Sequence, residues 1–308
     1  MAESAPASTS GTARLDEASA IVFDDRPRSE RQRAWERFRH HRVAVISSCV
    51  LLVLMALCFA APWIAPYGYE EQDLTATFAS PNRTYLLGTD SLGRDQLSRL
   101  LYGGRVSLAV GFGVAFVSGA FGTVVGAVAG YVGGWVDALL MGMTDFMLAL
   151  PALIFIIVAA RNAGDQTPVV VLIVATVTWM GLARIVRGVT LSVRNQEYVM
   201  AARSAGASPA RILVRHVVPN IAGPIIVNLT LTVAAAILLE SGLSFLGLGI
   251  QPPTPTWGNM LAGSKGYVQT APWLVWFPGL LILITVLAVN FMGDGLRDAM
   301  DPTDPGHR

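Results

Sequence analysis

Charge is scarce in this sequence. Of its 308 residues only 14% are Asp, Glu, Lys or Arg, and 53% are hydrophobic. Soluble globular chains carry roughly 25% charged residues, so the balance argues against a water-soluble enzyme. Lysine is nearly missing. Lys265 is the only one, so no Gly-Lys-Ser/Thr phosphate loop exists and ATP hydrolysis by that route is excluded. Histidine is almost as rare: His40, His41, His216 and His307 all fall in polar segments, none at metal-ligand spacing with carboxylates. A metalloenzyme is therefore not expected, and no Gly-x-Ser-x-Gly elbow points to a hydrolase. The net charge of +1 gives no reason to expect nucleic acid as a partner. The two cysteines, Cys49 and Cys58, share one apolar run. On a helix they stand about 13 Å apart, beyond the ~7 Å that a disulfide bridges.

Long apolar stretches dominate instead. A membrane-crossing helix needs about 20 mainly apolar residues, and six stretches qualify: Val43–Ala61, Val106–Ala129, Ala138–Ala160, Val169–Val186, Ile221–Leu246 and Trp273–Met292. The third holds Asp145 and Pro151, the fourth ends in Arg184, the fifth holds Pro224 and Glu240, and the sixth holds Pro278. The pattern predicts an all-α membrane protein with six transmembrane helices. A soluble bundle of buried helices is the alternative, but too little polar surface remains to solvate it. Residues 1–28 read as a disordered cytoplasmic tail. Residues 29–103 are expected to hold the first span and an extracytoplasmic segment, 104–294 a core of five spans, and 295–308 a cytoplasmic tail. A signal peptide is not expected, because a long polar stretch precedes the first apolar run.

Arginine sets the orientation. Arg26, Arg28, Arg31, Arg33, Arg37, Arg39 and Arg42 crowd before the first span and place the N-terminus in the cytoplasm. Four crossings later, Arg187, Arg194, Arg203, Arg211 and Arg215 mark 187–220 as cytoplasmic too. The C-terminus then also lies inside.

The most informative segment is residues 197–220, EYVMAARSAGASPARILVRHVVPN, a polar insertion between two spans. Residues 196–205 are strong helix formers, and Gly206 supplies a helix stop. Ser208 is placed to cap a second helix, with Pro209 in its first turn. Two short helices bent at Gly206–Ala207 are predicted. Ala201, Ala202 and Ala205 leave one side of the first helix thin, which suits docking in a groove of a partner. On pattern alone an ordinary basic loop at the headgroups is an equal reading.

This segment resembles the Glu-Ala-Ala loop of ABC-importer permeases, with Ala201, Ala202, Gly206 and Pro219 in register. The resemblance implies a coupling helix seated in a cleft of a cytoplasmic ATPase. Its coupling residues would be Glu197, Ala201, Ala202, Gly206, Ala207, Ser208 and Pro219. Met200 stands at the family's name-giving glutamate, and the acid appears one turn earlier at Glu197, a form often seen in the peptide branch. Residues 87–105 (LGTDSLGRDQLSRLLYGGR), 240–253 (ESGLSFLGLGIQPP) and 293–302 (GDGLRDAMDP) resemble the C-type subunit of dipeptide and oligopeptide permeases. The resemblance covers roughly residues 30–302.

It implies a type I ABC importer permease in a bacterial plasma membrane. Such a chain pairs with a second, homologous permease, sits above two cytoplasmic P-loop ATPases that hold ATP and Mg, and takes cargo from an extracytoplasmic peptide-binding protein. The chain itself would bind no cofactor and no metal. Transport would proceed by alternating access, with the 197–219 loop carrying ATPase motion into the spans. The branch handles di- and oligopeptides, nickel and glutathione-like cargo. Bare nickel favours histidine or carboxylate ligands, and the spans contain no histidine. An ion-driven secondary transporter would show internal repeats and more buried ionisable groups. A membrane scaffold would have no use for the docking segment.

Four further features are open in meaning. Leu92, Leu97, Leu100 and Leu101 oppose Arg94, Asp95 and Arg99 across 88–105, which predicts an interfacial helix, either a connector or an outer docking surface. Ser118, Gly122, Gly126 and Gly130 form a small-residue ridge on the second span, for helix packing or for a sliding surface. Asp145 either lines the path or pairs with an arginine such as Arg184, or else hydrogen-bonds at the interface; Pro151 is placed to kink its helix. Glu240 either meets a cargo ammonium or orders the outer loop.

Overall fold

The computed structural model describes residues 30–164 and 166–300. The expected tail at 1–28 and the residues 301–308 lie outside them. Helices account for nearly all of the described chain: α1 (Glu30–His40), α2 (Arg42–Phe59), α3 (Ala61–Ile64), α4 (Gln96–Val132), α5 (Gly134–Ala149), α6 (Ala152–Ala163), α7 (Thr167–Val193), α8 (Glu197–Ser204), α9 (Pro209–Ile212), α10 (Ala222–Phe245), α11 (Trp257–Gly263) and α12 (Trp273–Met300). Five helical stretches are long and apolar enough to cross a membrane: α2, α4, α7, α12 and the run Pro209–Phe245. The pair α5–α6 makes a sixth if its halves count together, bent by 85°.

That break has a local cause. Pro151 has no N–H to donate, and its ring disfavours helical backbone on the residue before it. Leu150 is accordingly extended, at ψ 137°. The expected kink is thus a full corner, with α6 restarting at Ala152.

The second span is longer than its apolar run. α4 has 37 residues, about 55 Å at 1.5 Å per residue, against a hydrocarbon core of about 30 Å. The expected boundary at 103/104 therefore falls inside one continuous helix. A cut at 294/295 would likewise fall inside α12, which runs on to Met300. The predicted separate interfacial helix at 88–105 is corrected. Residues 88–95 form a turn closed by a Thr89–Asp95 bridge. The helix begins at Gln96 because the Asp95 carboxylate accepts the Ser98 amide at 2.8 Å, an N-cap. Arg99, on the expected wet side, is only 4% exposed. The reason is tertiary: segment 65–95 folds back over these turns. Arg99 Nη1 donates to the Tyr69 carbonyl at 3.0 Å, and the Asp90 carboxylate accepts from Arg94 Nε at 2.7 Å. Gly93 makes the fold-back possible: its φ is +69°, and a Cβ there would lie 1.8 Å from the Asp73 carbonyl oxygen.

α4 is the central strut. On one side Leu100 and Leu108 join Leu51 of α2, Ile237 of α10, Trp257 of α11 and Val289 of α12 in a buried cluster. Trp257 is fully buried and donates its ring N–H to the Leu100 carbonyl at 3.0 Å. On another side Val110 and Val114 meet Ile156 of α6, Val174 of α7 and Leu243 of α10.

Candidate coupling surface and membrane path

The predicted bent pair of short helices is present. α8 stops where Gly206 takes φ +80°, and the Ala207 amide donates back to the Ala202 carbonyl at 3.1 Å. Ser208 then caps α9, its hydroxyl accepting from the Arg211 amide at 3.4 Å, with Pro209 in the first turn. α9 does not end in a loop. It passes through a π turn (Leu213–Val217) and a 3-10 turn (Val218–Ile221) directly into α10. Pro219 sits exposed in the 3-10 turn.

The α8–α9 knob is fastened to the spans. Val199, Ile212, Val217 and Ile221 are fully buried and pack with Ala127 and Tyr131 of α4 and with Leu182 and Val186 of α7. The Arg203 guanidinium lies over the Tyr131 ring, and Arg194 Nη1 donates to the Gly130 carbonyl at 2.8 Å. Beside them Arg187 grips Asp137 with two contacts, one of them Nη2 to Oδ2 at 2.6 Å. These anchors between residues far apart in sequence escaped the sequence reading, which used Arg187, Arg194 and Arg203 only for orientation.

The expected docking residues do not all share a face. Ala202 and Ala207 pack inward against the buried cluster. Glu197, Tyr198, Met200, Ala201, Ser204 and Ala205 face outward. The side of α8 opposite the spans is thus short-chained at 201, 204 and 205, with Gly206 and Ser208 exposed beyond it.

The small-residue ridge of α4 is covered by α7 of the same chain. A Cβ on Gly122 would lie 2.6 Å from the Trp179 carbonyl oxygen, on Gly126 2.3 Å from that of Ala183, and on Gly130 2.8 Å from that of Arg187. Ser118, one turn earlier, is buried.

Asp145 and Arg184 meet across α5 and α7, with Nη2 and Oδ1 2.6 Å apart. Glu240 is in the opposite situation. It is fully buried, its Oε1 accepts from the Ser244 hydroxyl at 2.8 Å, and its Oε2 stands 3.5 Å from the Ser107 hydroxyl. Ser107 also accepts from the Trp257 amide at 3.2 Å. Glu240 therefore ties α10, α4 and the start of α11 together and is not on an open surface. Among the described residues no group of three His, Cys, Asp or Glu side chains could hold a metal ion.

These features define a multi-pass membrane protein: a bundle of apolar helices with a firmly packed knob between two of its spans. The chain belongs to the family of binding-protein-dependent transport system inner membrane components, whose model matches residues 122–303. Residues 29–81 match the N-terminal transmembrane domain of oligopeptide transport permease C. It is 40% identical over 279 residues to the oligopeptide transport system permease protein OppC of Haemophilus influenzae, covering 90% of each chain. It is 40% identical to the di/tripeptide transport system permease protein DppC of Pseudomonas aeruginosa, covering 87% of this chain and 90% of that one. In fold it is similar to a chain of the inward-facing MetNI methionine ABC transporter, with a TM-score of 0.55 at 16% identity, covering 66% of this chain and 96% of that one.

Proposed function

We propose that this chain is the C-type permease subunit of an ATP-driven importer of di- and oligopeptides. The α8–α9 knob is its docking element for a cytoplasmic ATPase. Relatives at about 40% identity are named as peptide permeases, which supports the cargo class. The observation that carries the coupling role is the knob's construction: a small outward face backed by a fully packed inner one. A push on α8 has no slack to dissipate in, because Val199 and Ile212 press on α4 and α7. The continuous α9–α10 run takes the same push through the membrane.

In this reading ATP and Mg sit on two partner ATPases, and this chain holds no nucleotide itself. A second, homologous permease completes the path, and an extracytoplasmic binding protein delivers the peptide. The N- and C-termini lie in the cytoplasm, on the side of the knob, a reading that the arginine distribution supports. The test is purification of this chain from native membranes in mild detergent, with co-purifying proteins identified by mass. A second permease and P-loop ATPases are expected. Recovery of the chain alone, or as a homo-oligomer, would overturn the assignment.

A further inference from the structure

The ionisable groups inside the spans are held in two ways. Glu240 is sealed in by hydroxyls. Asp145 and Arg184 are 60% and 53% exposed. Asp145 stands eight residues beyond Asp137 on α5, and Arg184 three residues before Arg187 on α7, so the pair lies further into the spans than the Asp137–Arg187 pair at the knob end. At 1.5 Å per residue Asp145 is about 12 Å, and Arg184 about 4–5 Å, deeper than that pair. A carboxylate within a span faces the bundle interior or a water-filled cavity, since lipid does not solvate it.

The backbone beside the pair makes the same demand independently. The corner at Leu150–Pro151 comes just over one turn after Asp145, and Leu150 and Leu153 beside it are 41% and 55% exposed. Irregular backbone at membrane depth is tolerated only against protein or water. The surface around the pair is also bare. Gly142 lies one turn before Asp145, and Gly181 and Gly188 lie one turn to either side of Arg184. A Cβ on any of the three would meet nothing within 4 Å. The ridge glycines of α4, by contrast, are all covered.

We propose that Asp145 and Arg184 are a zwitterion-binding site on the wall of the transport path, Arg184 taking the carboxylate and Asp145 the ammonium of a peptide's free termini. The inference rests on the peptide-permease reading above. Exposed ion pairs are held weakly, so an incoming zwitterion exchanges partners with this one at little cost. The guanidinium offers a planar fork suited to a carboxylate. The tighter Arg187–Asp137 grip, with Asp137 only 16% exposed, is not available in this way.

The test uses the assembled transporter, turning over ATP with its binding protein and a tripeptide. Asp145→Cys and Arg184→Cys are made singly in a Cys49→Ser chain; Cys58 is buried and stays. Each is treated with water-soluble cationic and anionic thiosulfonates. With Asp145 left alone, the thiol at 184 is expected to react at least fivefold faster with the cationic reagent. With Arg184 left alone, the thiol at 145 is expected to favour the anionic one to a similar extent. Failure of both thiols to react, or reaction without charge preference, would overturn the site. A second measurement compares saturating uptake of a free tripeptide with that of its C-terminal amide. Arg184→Gln is expected to slow the free acid about tenfold more than the amide; equal slowing of both would mark the pair as a mere clamp between α5 and α7. If the unmodified transporter carries neither peptide, the peptide reading fails, while the labelling result still decides whether the pair faces water.

Discussion

The Arg203 guanidinium lies 5.4 Å from the centre of the Tyr131 ring, joining the last turn of α8 to the end of α4. A cation over an aromatic face contributes about 0.5–1 kcal/mol when partly exposed. Tyr131→Leu keeps the buried apolar volume and removes the ring. Peptide-stimulated ATP hydrolysis by the assembled transporter is expected to fall by about two- to fivefold, the equivalent of that energy, with membrane insertion unchanged. Unchanged stimulation would show that the knob is held by its apolar contacts alone.

The two neighbouring alanines of α8 should respond differently to bulk. Ala201 points outward and Ala202 packs inward. Ala201→Phe is expected to leave the chain stable and abolish co-purification of the ATPase. Ala202→Phe overpacks the inner face, at about 1–3 kcal/mol, and is expected to lower the thermal midpoint of the purified chain. Thermal shift and pull-down on the two variants separate the outcomes; identical behaviour would refute the assignment of faces.

The α4–α7 seam tolerates no added atom. Gly126→Ala places its Cβ 2.3 Å from a backbone oxygen, so the helices must part, at a cost of about 1–3 kcal/mol. Gly279→Ala in α12 meets nothing within 4 Å and should be neutral or slightly stabilising, given the better helix propensity of alanine. Expression-normalised thermal stability in detergent reads both.

Glu240→Ala strands the Ser244 hydroxyl and loosens its link to Ser107. Losing a partner for a buried polar group costs about 1–3 kcal/mol. Limited proteolysis of the 247–272 loop is expected to accelerate in this variant and much less in Glu240→Gln, which keeps an acceptor.

The segment 65–95 carries an acid-sensitive latch. The Thr75 hydroxyl and amide, then the Tyr85 hydroxyl, donate to Asp73 and hold its carboxyl below the usual carboxylate range. A depressed folded pKa contributes stability that is fully present above the unfolded value of about 4 and is lost as pH falls through the folded one. Amide protection factors across 73–95, taken relative to the intrinsic exchange rate at each pH, are therefore expected to be constant from pH 7 to about pH 5 and to fall only in stronger acid. Asp73→Asn should remove that fall.

What the sequence discloses differs by element, for physical reasons. The bend at Gly206 and the cap at Ser208 are local chemistry, decided within four residues, and both were legible. The pairing of Asp145 with Arg184 was legible only as one of three alternatives, because an intramembrane charge needs a partner but the sequence does not choose it. The face of Ala202 was not, since alanine carries no periodic signal on so short a helix. The burial of Arg99 was hidden for another reason: it depends on a segment some thirty residues upstream, ending in the Tyr69 carbonyl. The 85° corner at Pro151 was visible as a kink and not as a turn, because proline fixes where a helix stops but not where the next one points.

From Ser208 to Glu240 the chain runs through α9, two altered turns and α10 without a loop, a length of about 48 Å at helical rise. In the importer proposed above, a run of that kind would hand a tilt of the knob directly to the far end of α10. The two mouths of the proposed path would thereby be geared to each other. Such gearing would forbid the moment when both stand open, and so keep ions from leaking down the membrane potential each time a cargo passes.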